Sequence, residues 1–133
     1  MKYFIPLFLT LLLWSCGTQD TIGNPPTDFV LSQNFPNPFT DTTVIVYGVP
    51  QSLKGQHGPT IRLIVKDRFN IKLRTLKEGS NYPAILDTAV WDGRGANNIK
   101  AISGIYYIEL QRYMFSDENT GWEVLKRVVA LKQ

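Results

Sequence analysis

The sequence predicts an all-β fold, a seven-stranded antiparallel sandwich that follows a cleaved N-terminal signal. Three observations predict it. Seven short runs carry the two-residue alternation of strands, turn residues separate them, and no window repeats apolar residues at i, i+3, i+4 and i+7 over three turns. The chain has 133 residues, 44% of them hydrophobic and 19% charged, which is a globular composition of one-domain size.

Residues 1–15 are an address. Met1-Lys2-Tyr3 precedes eleven residues of apolar character from Phe4 to Trp14, and Ser15-Cys16 follows. A basic start, an apolar run and a small residue describe a secretory signal. The run is too short for a bilayer, which needs about 20 apolar residues. Leu13-Trp14-Ser15-Cys16 resembles the lipobox of bacterial lipoproteins. That resemblance implies cleavage before Cys16, a diacylglycerol on its thiol, and a lipid anchor in the membrane. The other reading is an ordinary secretory signal, with Cys16 trimmed away or left as a free thiol. Gly17 follows the cysteine where the lipoprotein sorting rule has Asp for inner-membrane retention, so the expected place is the outer membrane, on its periplasmic face or at the cell surface.

Residues 16–28 are the lipidated cysteine and a tether. The stretch GTQDTIGNPPTD holds two Gly, two Pro and small polar residues without periodicity, the mark of a flexible linker. Twelve extended residues reach about 40 Å at most.

Residues 29–133 hold the strand runs. The first is 29–35. The second, 43–49, is β-branched and apolar on both alternate sets, which suits a central strand. After a loop over 50–59 come alternating runs at 61–66 and 71–76, then 85–91, a long run at 104–115, and 122–132. Seven such runs fit a sandwich of immunoglobulin or fibronectin-III type. A single cysteine excludes the disulfide of antibody domains.

The segment Asn34-Phe-Pro-Asn-Pro-Phe39 sets two prolines between two aromatics. Proline fixes φ and withholds a donor, so an extended corner that carries the chain between sheets is expected, with Phe35 and Phe39 packed inward. Asp67-Arg-Phe-Asn70 reads as a bulged hairpin turn, with Asn70 left-handed. Trp91 reads as a core plug before an Asp92-Gly93 turn, and Asn97-Asn98 supplies another left-handed position. On the sixth run Tyr106, Ile108 and Leu110 share one face; Tyr107, Glu109 and Gln111 share the other. A tyrosine near the start of such a strand is expected to hydrogen-bond a corner.

Chemistry-bearing patterns are scarce. One cysteine and one histidine rule out cysteine zinc clusters and His-pair metal sites. His57 lies in a Gly-flanked loop without a nucleophile or carboxylate at a useful spacing. No Gly-x-Ser-x-Gly, phosphate loop, His-Glu-x-x-His or calcium loop occurs. The expectation is no enzyme, no catalytic residue, no cofactor and no metal. Removal of residues 1–15 leaves 13 basic and 11 acidic side chains, too balanced for a nucleic-acid partner. Lys66, Arg68, Lys72, Arg74 and Lys77 make one hairpin basic, which protects a strand pair from aggregation.

Five motifs in order carry a family resemblance. Leu31-Ser-Gln-Asn-Phe-Pro-Asn-Pro-Phe39 with Thr43-Val-Ile-Val-Tyr47 and Val49-Pro50 resembles the opening "YPNPFNPxTxIxYxLP" of the C-terminal sorting domains of type IX secretion. Ile64-Val-Lys-Asp-Arg-Phe-Asn-Ile-Lys-Leu-Arg-Thr-Leu76 resembles "IYDxxGxxVRTL", with Asn70 in place of Gly. Val90-Trp-Asp-Gly-Arg94 resembles "WDGxD", Ser103-Gly-Ile-Tyr-Tyr107 resembles "SGxYF", and Lys126-Arg-Val-Val-Ala-Leu-Lys132 resembles "KKMVLxK". The pattern is also similar to the Ig-like domain of flagellar hook-capping protein. The resemblance covers residues 29–133 and implies a seven-stranded Ig-like sandwich recognised by an outer-membrane secretion machine. Two departures stand out: the signal and tether lead straight into the domain without a cargo, and Asp41-Thr42 replaces the usual "NP".

Two readings follow. In the first, a non-enzymatic outer-membrane lipoprotein acts in secretion and sorting or as a surface interaction module. Cys16 is then the anchor, Lys126, Arg127, Val128, Val129, Leu131 and Lys132 are the recognition strand, and the partner is the secretion machinery or another envelope protein. Strand-edge addition is the expected contact mode. In the second, a small module binds a carbohydrate or envelope component through Tyr107, Tyr113, Trp122 or the basic hairpin.

Overall fold

The computed structural model describes residues 24–51, 58–115 and 120–132. The signal, Cys16, the tether up to residue 23 and His57 lie outside the described residues. The elements are β1 (Val30–Leu31), β2 (Thr43–Val49), β3 (Thr60–Lys66), β4 (Lys72–Gly79), β5 (Ile85–Trp91), β6 (Gly104–Phe115) and β7 (Thr120–Leu131), and no helix occurs among the described residues. They form a three-stranded sheet in the order β1-β2-β5 and a four-stranded sheet in the order β4-β3-β6-β7. Every strand pair is antiparallel.

The alternation read from the sequence sends one face of each sheet into a shared core. Ile45, Tyr47, Val49, Ala89 and Trp91 from the smaller sheet join Ile61, Leu63, Val65, Ile108, Leu110 and Val129 from the larger. Trp91 is the plug between them. Its ring lies 5.3 Å from Phe39 and 5.3 Å from Tyr106, edge to face with the tyrosine. Its indole Nε1 donates to the Arg94 carbonyl at 2.9 Å, so the polar atom of the plug is satisfied without water. Gly93 follows at φ +72°, a conformation that suits glycine. β2 is central in its sheet; one face is buried throughout, and the other runs from Val44, 41% exposed, to the buried Gly48.

Four expectations need correction. Phe35 is 80% exposed rather than packed inward. The segment is a series of bends with both X-Pro bonds cis, not an extended corner. Asn34 takes the inward place instead: its amide donates to Thr43 Oγ1 at 2.7 Å, and that hydroxyl donates to the Pro36 carbonyl at 2.8 Å. The segment still passes between sheets, since Phe35 bridges Val44 of β2 and Phe39 bridges Leu131 of β7.

The fourth run does not alternate regularly. β4 begins at Lys72, Ile71 is exposed, and the β3–β4 register slips twice, skipping Leu76 and then Leu73. Both skipped residues pack on the core, because a bulge residue changes the face that the next side chain takes. The end of the tether is also not free. Pro26 is buried, and a Cβ on Gly48 of β2 would stand 2.6 Å from its Cγ, so glycine there lets the chain lie flat on the strand.

The turns match their chemistry. Asp67 Oδ1 accepts from Phe69 N and Ile71 N, both at 2.9 Å, and Asn70 sits at φ 66°. Asn98 sits at φ 63°. The Tyr106 hydroxyl donates to the Ile102 carbonyl at 2.6 Å, the corner bond expected of a tyrosine at this place.

Candidate functional site

The proposed recognition strand is β7, at one edge of the larger sheet. Pairing to β6 and side-chain alternation divide its residues into three roles. Val129 and Leu131 are buried in the core and serve the fold. Lys126 and Val128 face outward, and Val128 is 49% exposed. Arg127 is half-buried, with its guanidinium turned back onto the Lys126 carbonyl at 2.8 Å, and Lys132 is exposed.

The free side of β7 is closed over its last residues by the Asn34–Phe39 segment. The Val128 carbonyl accepts from Gln33 Nε2 at 2.8 Å and from Asn37 Nδ2 at 3.0 Å. The Ala130 amide donates to Asn37 Oδ1 at 2.9 Å, Phe39 N donates to the Ala130 carbonyl at 2.9 Å, and Lys132 N donates to the Phe39 carbonyl at 2.7 Å. The Asn37 carboxamide therefore copies a strand neighbour, using one donor and one acceptor. Strand addition beside residues 128–132 would have to displace it. The backbone groups of Trp122 and Val124 point to the same side by alternation, beyond the reach of this clamp.

The outer face of the larger sheet carries the charges. Glu109 of β6, 4% exposed, lies between cations from both neighbouring strands. Lys66 Nζ of β3 is 2.8 Å from Oε2, Lys126 Nζ of β7 is 3.2 Å from Oε1, and Gln111 Nε2 donates to Oε2 at 3.0 Å. Burial pushes the Glu109 carboxyl up. Hydrogen bonds from Lys66, Gln111 and Lys126 and the charge of Lys66 outweigh it, so the net shift is downward. Sequence reasoning placed Glu109 on this face but missed its burial. The signal was a lone acid directly opposite Lys126 in the β6–β7 register.

The three aromatics named as possible ligand contacts fall in two separate places on the larger sheet. Tyr113 and Trp122 are cross-strand partners with rings 5.2 Å apart. Tyr107 lies six residues along β6, about 20 Å away at strand rise. Ring faces are also taken: the Arg62 guanidinium sits 4.7 Å over Trp122, and Lys126 Nζ sits 4.3 Å over Tyr107. A smaller polar group joins β2 and β5 to the β4–β5 connection. The buried Tyr47 hydroxyl meets Tyr82 at 2.9 Å and donates to Asp87 at 3.2 Å, and burial first, then these partners, push its ionisation far up. That hydroxyl stays protonated and holds the structure.

Among the described residues no three His, Cys, Asp or Glu side chains gather as a metal site, and no helix is long and apolar enough to cross a membrane. Comparison with protein-family models, curated proteins and solved structures found no match to this chain.

Proposed function

We propose that this chain is a non-enzymatic, membrane-anchored lipoprotein whose domain is an immunoglobulin- or fibronectin-III-type sandwich related to type IX secretion sorting domains. It is read by the outer-membrane secretion machinery or by another envelope protein. One observation carries this reading. The first and last motifs of the resemblance, 31–39 and 126–132, are one unit in space, joined through Asn37 and Phe39 to Val128, Ala130 and Lys132. Residues far apart in sequence thus share one clamp that presents Val128 and Lys132 outward. Sheet orders of three and four strands support the sandwich type. The carbohydrate reading draws less from the geometry, because Arg62 and Lys126 each occupy one face of the Trp122 and Tyr107 rings.

The test uses the full chain expressed in cells with type IX machinery. Intact mass of membrane-recovered protein should correspond to residues 16–133 plus acyl chains. Protease added to whole cells should cut the wild type. V128E/K132E, which alters exposed positions only, should keep the lipid and lose accessibility. A mass without acyl chains overturns the anchor, and equal accessibility of variant and wild type overturns recognition through the clamp.

A further inference from the structure

A second surface lies at the far end of the domain. Val30, where the described chain enters the sheets, pairs with Gly48 near the end of β2. Trp91 pairs with Thr43 at the start of β2, and the turns beyond that end shape a groove of about 370 Å³. One wall is the β3–β4 turn with Arg68 and Phe69. The other is the β5–β6 connection with Ile99, Lys100 and Ile102, continued by Ile105 at the start of β6.

Phe69, Ile99, Ile102 and Ile105 are between 47% and 76% exposed, and all four line this one groove. Exposed apolar residues scattered singly need no explanation, but a contiguous set marks an interaction site. None of them contributes to the core. The walls are held by their own hydrogen bonds. Asp67 Oδ1 ties Phe69 N and Ile71 N, Asn97 Oδ1 takes Ile99 N at 3.1 Å, Ala96 N reaches the Leu73 carbonyl at 3.0 Å, and Ala101 N reaches the Gly93 carbonyl at 2.8 Å. The groove is therefore formed before any ligand arrives, which lowers the ordering cost of binding.

Charge decides what it takes. Arg68 and Lys100 line the groove, and neither has an ion-pair partner among the described residues. The one acid lining it, Asp67, has Oδ1 committed to its own turn. The Arg68 guanidinium stacks 4.8 Å over Phe69, which leaves its N–H edge for a carboxylate. We propose that this groove docks an acidic peptide segment of a partner protein, seating a large apolar side chain between Phe69, Ile99 and Ile102 while Arg68 and Lys100 pair with flanking Asp or Glu. A concave site of this size suits a side-chain anchor better than a flat lipid surface. The groove lies at the opposite end of β2 from Gly48, against which Pro26 packs.

The test selects a random dodecapeptide display library on the full chain in detergent micelles. Ile102→Asp serves as counter-target, with unchanged thermal unfolding as its folding control. Enriched peptides should carry Phe, Leu, Ile or Trp flanked by Asp or Glu. Their affinity should fall at least tenfold in Ile102→Asp and in R68E/K100E. Equal enrichment on wild type and Ile102→Asp overturns the proposal, as does enrichment without acids. Two further results also overturn it: anionic phosphatidylglycerol vesicles that outcompete the peptides assign the groove to lipid, and self-association abolished by Ile102→Asp assigns it to a second copy. None of these outcomes depends on sorting or lipidation.

Discussion

Replacing Glu109 by Gln isolates the electrostatics of the outer face, because shape and burial stay nearly the same. The carboxylate is 5% exposed and its nearer partner, Lys66, is 16% exposed, so this pair is buried; Lys126 is 45% exposed and adds little. A hydrogen bond to a charged group contributes about 1.5–3 kcal/mol, and an exposed pair about 0.2–1 kcal/mol. The Gln amide returns part of this as a neutral acceptor, which leaves a cost of about 2 kcal/mol at neutral pH, or about 8 °C in melting temperature for a domain of this size. The pH dependence supplies the sign. Glu109 titrates below its usual 4.5, so its stabilisation is full above that value and is lost as pH falls through the lower folded value. Glu109→Gln carries no such titration. Urea unfolding followed by tryptophan fluorescence should show a gap of about 2 kcal/mol at neutral pH that narrows as pH falls below 4.5. A gap that stays constant down to the acid limit would mean that packing, not charge, is lost. No gap at neutral pH would mean that the lysines are as well served by water.

Substitutions at three further positions probe the fold. Asn37→Ala removes both carboxamide bonds to β7, costing about 1 kcal/mol, and the Ala130 amide should exchange with solvent about fivefold faster by NMR; an unchanged rate denies the clamp. Trp91→Ala should cost about 3–5 kcal/mol by urea midpoint, and Trp91→Phe should cost about 1 kcal/mol for the unserved Arg94 carbonyl. Asn98→Gly should be near neutral because φ is 63°, whereas Asn98→Val should cost about 1–2 kcal/mol in thermal unfolding.

Where local chemistry decides, the sequence was readable. β2, β5 and β6 begin and end where alternation and turn residues place them, and Asn70 and Asn98 are left-handed because a short carboxamide tolerates that conformation. Trp91 and Tyr106 take the roles that their positions beside turns suggest. Legibility ended where two strands must be known together. Leu73 and Leu76 read as members of one alternating run, but the β3 register makes both of them bulge residues. Alternation puts Glu109 on a face with Tyr107 and Gln111, but its burial depends on Lys66 and Lys126 arriving on either side. Phe35 reads as core by hydrophobicity alone, and only the Asn34–Thr43 bond explains why the smaller residue goes in. Ile99 and Ile102 sit in a loop without periodicity, so nothing marked them as neighbours of Phe69.

The clamp also changes how a truncation must be read. Deleting residues 126–133 looks like a clean removal of a recognition strand, but it takes Val129 and Leu131 out of the core, removes one cation from Glu109 and strips Phe39 of its backbone partners. Losing a buried Leu costs about 2–5 kcal/mol as a truncation to Ala, and total domain stability is only about 5–15 kcal/mol. The truncated chain should therefore lose cooperative unfolding by circular dichroism and be degraded wherever it resides. Loss of surface exposure in that variant would report a broken fold and would say nothing about recognition. V128E/K132E keeps the core, so its behaviour separates recognition from folding. If the truncated chain instead melts cooperatively with an unchanged midpoint, β7 is not integral beyond residue 125, and the clamp is decoration on a fold that stands without it.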